Sequence, residues 1–219
     1  MKKIVPYKTK HGALKALDNG GRFYNLLTDA DDGKIASAEL AKVAGVFTDK
    51  QKMFLYLDMA LAELDPGDAD AVIQSMSLEL RSAYSQYRPA HYTPHQATKQ
   101  GKASASATVT GIPHYVKSSS DFVGFIMIPI VTGKATTFTM VPIIDYYDVY
   151  EVRDMKTSHD FLIAHARGSK ELPQVPTIVG GILKKLQGDK NRIPKHKLYL
   201  EAVYYSVVSA SIGVSTNAI

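Results

Sequence analysis

Hydrophobic spacing divides the chain near residue 95. Before that point apolar residues recur at three- and four-residue intervals, the helical period; after it, β-branched and aromatic residues dominate and strand-like alternation takes over. Lys10 to Asp18 is compatible with a helix carrying Leu14 and Leu17 on one side and ended by Gly20-Gly21. Thr48-Asp49-Lys50-Gln51 has the capping-box form and opens a helix with Phe54, Leu57, Leu61 and Leu64 as its core stripe. Asp65-Pro66-Gly67 stops that helix, Asp68 or Asp70 caps the next, and Leu78, Leu80, Tyr84 and Tyr87 mark one more, stopped by Pro89.

Strands are expected at Ala105 to Ile112, Phe122 to Val131, Thr136 to Ile144, Asp145 to Arg153, Phe161 to Ala166 and Lys197 to Val208. Phe122 to Val131 and Thr136 to Ile144 flank Thr132-Gly133-Lys134, a short hairpin connection. Because Phe122 to Val131 is apolar at both parities, it is expected near the middle of a sheet. Thr177 to Leu186 suits either a strand or a helix. The expected fold class is α+β. A helical bundle-like unit, 1–93, precedes a polar linker or crossing loop, 94–103, and an antiparallel β-rich unit, 104–219, folded as a small barrel or curved sheet.

Composition narrows the chemistry. The 219 residues include no cysteine, which excludes a disulfide scaffold, a Cys-ligated metal and thiol catalysis. With 45% hydrophobic and 21% charged residues, the chain has enough apolar matter for a core. Met1-Lys2-Lys3 is followed by polar residues where a signal peptide needs an apolar stretch. Phe122 to Val131 is too short to cross a bilayer as a helix and contains Gly124 and Pro129. The expectation is a cytoplasmic, non-transmembrane protein.

The formal net charge of +5 is unevenly spread. Residues 166–198 hold eight cations (Arg167, Lys170, Lys184, Lys185, Lys190, Arg192, Lys195 and Lys197) against Glu171 and Asp189, a net of +6 that leaves −1 for the rest. Such a segment is either solvated surface or a site for an acidic partner, RNA or single-stranded DNA among them. Tyr146, Tyr147 and Tyr150 form a second candidate surface. Tyrosines offer large contact area at low entropic cost, and they equally suit an ordinary half-exposed strand.

Asp29-Ala30-Asp31-Asp32-Gly33-Lys34-Ile35-Ala36-Ser37-Ala38-Glu39 is the most pointed motif. Its Asp-Gly-x-Ile-x-x-x-Glu half resembles an EF-hand calcium loop, and also resembles a helix junction common in TerB-like domains. The EF-hand resemblance implies Ca2+ or Mg2+ held by Asp29, Asp31, Asp32 and Glu39. Thr28 and Ala30 stand where the first two ligands belong in strict register. Read as a turn instead, Asp-Gly joins two helices and Glu39 sits in the first turn of the second.

No nucleophile elbow, P-loop or dinucleotide fingerprint is present, and Thr157-Ser158-His159-Asp160 does not form a triad by adjacency. His91 and His95 have i,i+4 spacing, but Pro94 lies between them. The expectation is a non-catalytic interaction, adaptor or assembly protein that binds a protein partner or its own copies through the β-rich unit. The alternatives are a divalent-cation-responsive regulator and an RNA- or ssDNA-binding protein.

Overall fold

A computed structural model describes residues 1–20, 29–132, 135–166, 171–186 and 197–208, with side chains described outside 117–146. The fold is α+β. Five helices come first: α1 (Lys10–Leu17), α2 (Ser37–Ala44), α3 (Lys50–Leu61), α4 (Pro66–Gln74) and α5 (Leu78–Tyr87). Their caps follow side-chain chemistry. Thr9, Asp65 and Ser77 each accept from a backbone N–H three residues on. Two expected caps are corrected. Asp49 rather than Thr48 opens α3, accepting from Lys52 N at 3.1 Å. Asp65, rather than Asp68 or Asp70, opens α4, with Pro66 at the first helical position where a missing N–H costs nothing.

The expected stripe on α3 is core: Phe54 and Leu57 are fully buried, and Leu61 nearly so. Met53, Leu55, Met59 and Ala60 are buried as well, so apolar residues surround most of the helix and α3 runs through the centre of the first core.

Seven strands are described: β1 (Lys2–Lys3), β2 (Ala90–Tyr92), β3 (Ser106–Thr132), β4 (Ala135–Arg153), β5 (Asp160–Ala166), β6 (Thr177–Lys185) and β7 (Leu198–Val207). Five of them close on themselves. β3 pairs β4, β4 pairs β5, β5 pairs β7, β7 pairs β6, and β6 returns to β3. Only β5–β7 is parallel among these pairs. Such a five-stranded barrel has the architecture of OB-type barrels, a likeness of shape that assigns no activity. Val109, Val152, Phe161, Ile163, Val179, Leu183 and Leu200 fill its interior.

The segment 177–186 resolves as strand, and the reason lies in its glycines. A Cβ at Gly180 would sit 2.5 Å from Met59 Sδ and 3.0 Å from Leu55 Cδ1. One at Gly181, at a bulge opposite β7, would sit 2.1 Å from the Glu201 carbonyl oxygen. The missing side chains let α3 lie against the barrel wall and let the wall bend.

The expected linker holds a helix, α6 (Pro94–Gln100). Thr93 and Gln96 form a reciprocal capping box and Pro94 takes the first helical position, so a proline that reads as a breaker here begins a helix. Ala97 is fully buried in the barrel core. The first 93 residues also supply strands, β1 beside β7 and β2 beside β3.

The larger departure concerns the apolar hairpin. The segments expected as Ala105–Ile112 and Phe122–Val131 are one strand of 27 residues, and Thr136–Ile144 continues directly into Asp145–Arg153. β3 pairs β6 only from Ser106 to Gly111, and β4 pairs β5 only from Tyr147 onward. Beyond those points, among the described residues, β3 and β4 pair with each other alone, as far as Thr132↔Ala135. Phe122 to Val131 is therefore in a two-stranded arm projecting from the barrel, not in the middle of a sheet. No helix among the described residues is long and apolar enough to cross a membrane.

Candidate functional site

The Asp-Gly segment folds as a carboxylate-clamped helix junction. Gly33 takes φ +80°, a left-handed conformation that suits glycine. Its N–H donates to Asp18 Oδ2 at 2.8 Å. Glu39 is fully buried, and its Oε1 accepts from Gly20 N at 2.6 Å while Oε2 accepts from Ala36 N at 2.7 Å. The second bond is half of a capping box, which Ala36 has no side-chain oxygen to return. Asp29, Asp31 and Asp32 are exposed. Among the described residues no group of three or more His, Asp or Glu side chains converges as a metal site. The structure thus separates the proposed ligand set: Glu39 faces inward to backbone donors, and the three aspartates face outward.

The other predicted surfaces also separate. Arg167, Lys170, Lys190, Arg192 and Lys195 lie outside the described residues. Of the remaining cations, Lys184 pairs with Glu201 at 3.1 Å, while Lys185 and Lys197 are exposed. Tyr146 is paired with Ser120 along the backbone, and its side chain lies outside the description. Tyr147 is half-buried and its hydroxyl donates to Glu201 Oε1 at 3.4 Å. Tyr150 is 2% exposed, stacked 5.4 Å from His165, with its hydroxyl accepting from Leu172 N. Strand parity turns Tyr150 and Val152 into the barrel, so Tyr150 is a core residue and not part of a partner surface. Burial raises its pKa above the ordinary tyrosine value.

Sequence reasoning missed a polar cluster at the seam between helices and barrel. Asp58, in the otherwise apolar stretch 53–61 of α3, accepts from Tyr84 OH at 3.2 Å and lies 3.3 Å from His91 Nε2 and 3.9 Å from Arg88 Nε. His91 Nδ1 is 2.9 Å from Thr108 Oγ1, across the β2–β3 pairing that sets the two residues side by side. The hydrogen bond to Asp58 raises the His91 pKa, against the opposing effect of burial. Burial, followed by the Asp58 charge, raises that of Tyr84. Asp58, Tyr84, Arg88 and His91 edge a cavity of about 410 Å³ floored by Leu61, Leu64, Pro66 and Ile73. Thr108 is buried and does not line the cavity, so the Thr–His–Asp chain presents no nucleophile to it. Its effect is to tie α3 to β2. The one legible signal was Asp58 itself, an acid within a helix whose other central residues are apolar. His95, on α6, stands 4.2 Å from the ring of His159 and apart from His91.

The projecting arm is the other feature. Residues 122–132 and 135–144 contain no Asp, Glu, Lys, Arg or His. Register places Phe125/Pro142, Met127/Met140 and Pro129/Phe138 on one face. Ile126/Val141, Ile128/Thr139 and Ile130/Thr137 fall on the other. Asp121 and Asp145 stand directly opposite each other at its base.

No family model and no curated protein matches the chain. Among solved structures it is similar to the N-terminal domain of an archaeal MCM, at 11% identity and a TM-score of 0.40, over 78% of this chain and 84% of that one. A likeness this distant bears on neither activity nor partner.

Proposed function

We propose that the chain is a non-catalytic interaction or assembly protein whose β-rich half binds protein through the β3–β4 arm. One observation carries this reading: two strands without charged residues, 122–132 and 135–144, the first apolar at both parities, continue past the last residues that pair with β5 and β6. An isolated two-stranded ribbon is at best marginally stable in water, and a contiguous apolar patch of this kind marks an interaction site. Such an arm gains most by being covered.

Amide hydrogen exchange across 122–144, at increasing protein concentration, tests the proposal. Protection should rise with concentration or with bound protein. A chain with the arm cut back to a tight turn should keep its fold and lose its assembled species. Arm amides exchanging at open-chain rates under every condition, with unchanged sedimentation after shortening, would sink the reading.

A further inference from the structure

We infer that the cavity between α3, α4 and β2 binds a small molecule with a carboxylate head and an apolar body, the head on Arg88 and the body over Leu64 and Ile73. The described residues that line this cavity all lie within 58–91, so the inference stands apart from the β3–β4 arm.

The first argument is how the sequence builds the cavity. After α3, Leu64 N–H donates to the Leu61 carbonyl at 3.0 Å, and Pro66 opens α4 two residues later. That tight turn brings Pro66 and Ile73 to the same space as Leu61. On the other side Pro89 ends α5. Arg88 takes φ −54° and ψ 129°, the extended conformation that a following proline favours. The chain then enters β2, where register beside Thr108 fixes His91. Arg88 and His91 thus reach one cavity, from a turn and from a strand. Its volume, about 410 Å³, falls in the usual range of small-molecule sites. At about 30 Å³ for each water of the liquid, it has room for roughly a dozen non-hydrogen atoms.

The second argument is the floor. Leu64 and Ile73 pack against the first core and are only partly buried. Water in the cavity therefore rests on apolar surface, and an apolar body that displaces it removes that unfavourable contact.

The third argument selects the head. Asp58 has both oxygens engaged: Tyr84 OH donates to Oδ1, and His91 Nε2 lies 3.3 Å from Oδ2. Arg88 differs. Its side chain is 61% exposed, and Nε stands 3.9 Å from Asp58, the long limit of an ion pair. Its guanidinium lies over the Tyr84 ring, 5.8 Å from the centroid. That position leaves both Nη groups without a partner among the described residues. Such a planar fork matches a carboxylate through two parallel hydrogen bonds. His91, whose pKa Asp58 raises, adds positive charge at the same end. The opposing charge is Asp70, exposed on α4, where water screens it. A cationic ligand would take Asp70 instead, so head-group charge is the quantity to measure.

NMR titration of the full chain with hexanoate, hexylamine and hexanol tests this, because the three share one six-carbon body. Hexanoate should bind saturably, shift the Leu64 and Ile73 methyl signals, and bind at least tenfold tighter than the other two. Arg88→Gln should weaken hexanoate at least tenfold, erase its advantage over hexanol and leave the melting temperature unchanged. Ala69→Phe, which places a ring in the cavity, should abolish hexanoate binding in a chain that still unfolds cooperatively. Hexylamine binding tighter than hexanoate overturns the inference in favour of a cationic ligand. Equal binding of all three, or unchanged hexanoate binding in Arg88→Gln, overturns the role of the carboxylate. No saturable shift with any of the three overturns the site. A chain with a shortened arm should bind hexanoate as wild type does, so this inference and the proposed function fail separately.

Discussion

The two halves of the β3–β4 hairpin both carry strand-forming apolar residues and meet different surroundings. In the barrel half, β4 has β3 on one side and β5 on the other, and Val149, Tyr150 and Val152 are buried. In the arm half, Thr136 to Ile144 has none of the charge that Asp148, Glu151 and Arg153 give the barrel half, and among the described residues it pairs with β3 alone. Apolar content therefore states only that a strand needs cover. Whether the cover comes from the same chain depends on how many neighbours the topology supplies. In the barrel it supplies two; in the arm, one.

The sharpest way to break this contrast is to truncate one phenylalanine in each half of the β-rich unit. Phe161 is buried within the barrel, and Phe161→Ala should cost about 3–5 kcal/mol through lost burial and the cavity left behind. Phe138→Ala, in the arm, should change the stability of the dilute monomer by no more than about 0.5 kcal/mol. Urea midpoints at low protein concentration read both. Equal losses would mean that the arm is already covered within the monomer.

The helical unit offers an intermediate case, where a buried charge does the holding. Glu39 accepts two backbone N–H bonds with no exposure to solvent. Glu39→Ala should cost roughly 1.5–3 kcal/mol, since two donors lose a charged acceptor. The loss should be the same with and without added calcium or magnesium. A loss seen only with the cation would restore metal ligation at this loop. Gly180→Ala comes next, at about 1–2 kcal/mol. Its Cβ would press on Met59, whose flexible thioether can yield in part. Thermal unfolding ranks the two, and a neutral Gly180→Ala would mean that α3 is not held tightly against β6.

These cases also show what could be read from the chain. The α3 stripe, the break between α3 and α4 and the strands after residue 104 were legible because each rests on local period or local capping chemistry. Helix α6 was not, because Pro94 looks like a breaker until Thr93 and Gln96 are seen to close a capping box around it. The arm was misplaced because period and hydrophobicity are local, whereas the number of sheet neighbours is not. The Asp58–His91 contact joins residues 33 positions apart (91 minus 58), and no local pattern encodes that pairing. Tyr150 was read from the surface habits of tyrosine, while strand parity relative to the barrel axis decided its side.

The smallest expected effect lies at the seam between helices and barrel. His91 meets Asp58 on one nitrogen and Thr108 on the other, with Arg88 near the same carboxylate. Its pKa in the folded chain lies above the ordinary 6.5 because Asp58 favours the charged ring. The folded state therefore binds this proton more tightly than the unfolded state does, and stability falls as pH rises. The contribution is complete below about pH 6.5 and is lost as pH climbs through the raised folded value. Because the His91 side chain is 56% exposed, solvent screening keeps the effect at about 0.5 kcal/mol or less. Urea midpoints compared at pH 5.5 and pH 8.5 should differ by that amount in the wild-type chain and converge in His91→Gln. An unchanged pH dependence in His91→Gln would place the titrating group elsewhere. The same comparison in a chain with a shortened arm should leave the His91 contribution intact, because the described residues that line the Asp58 cavity all lie within 58–91.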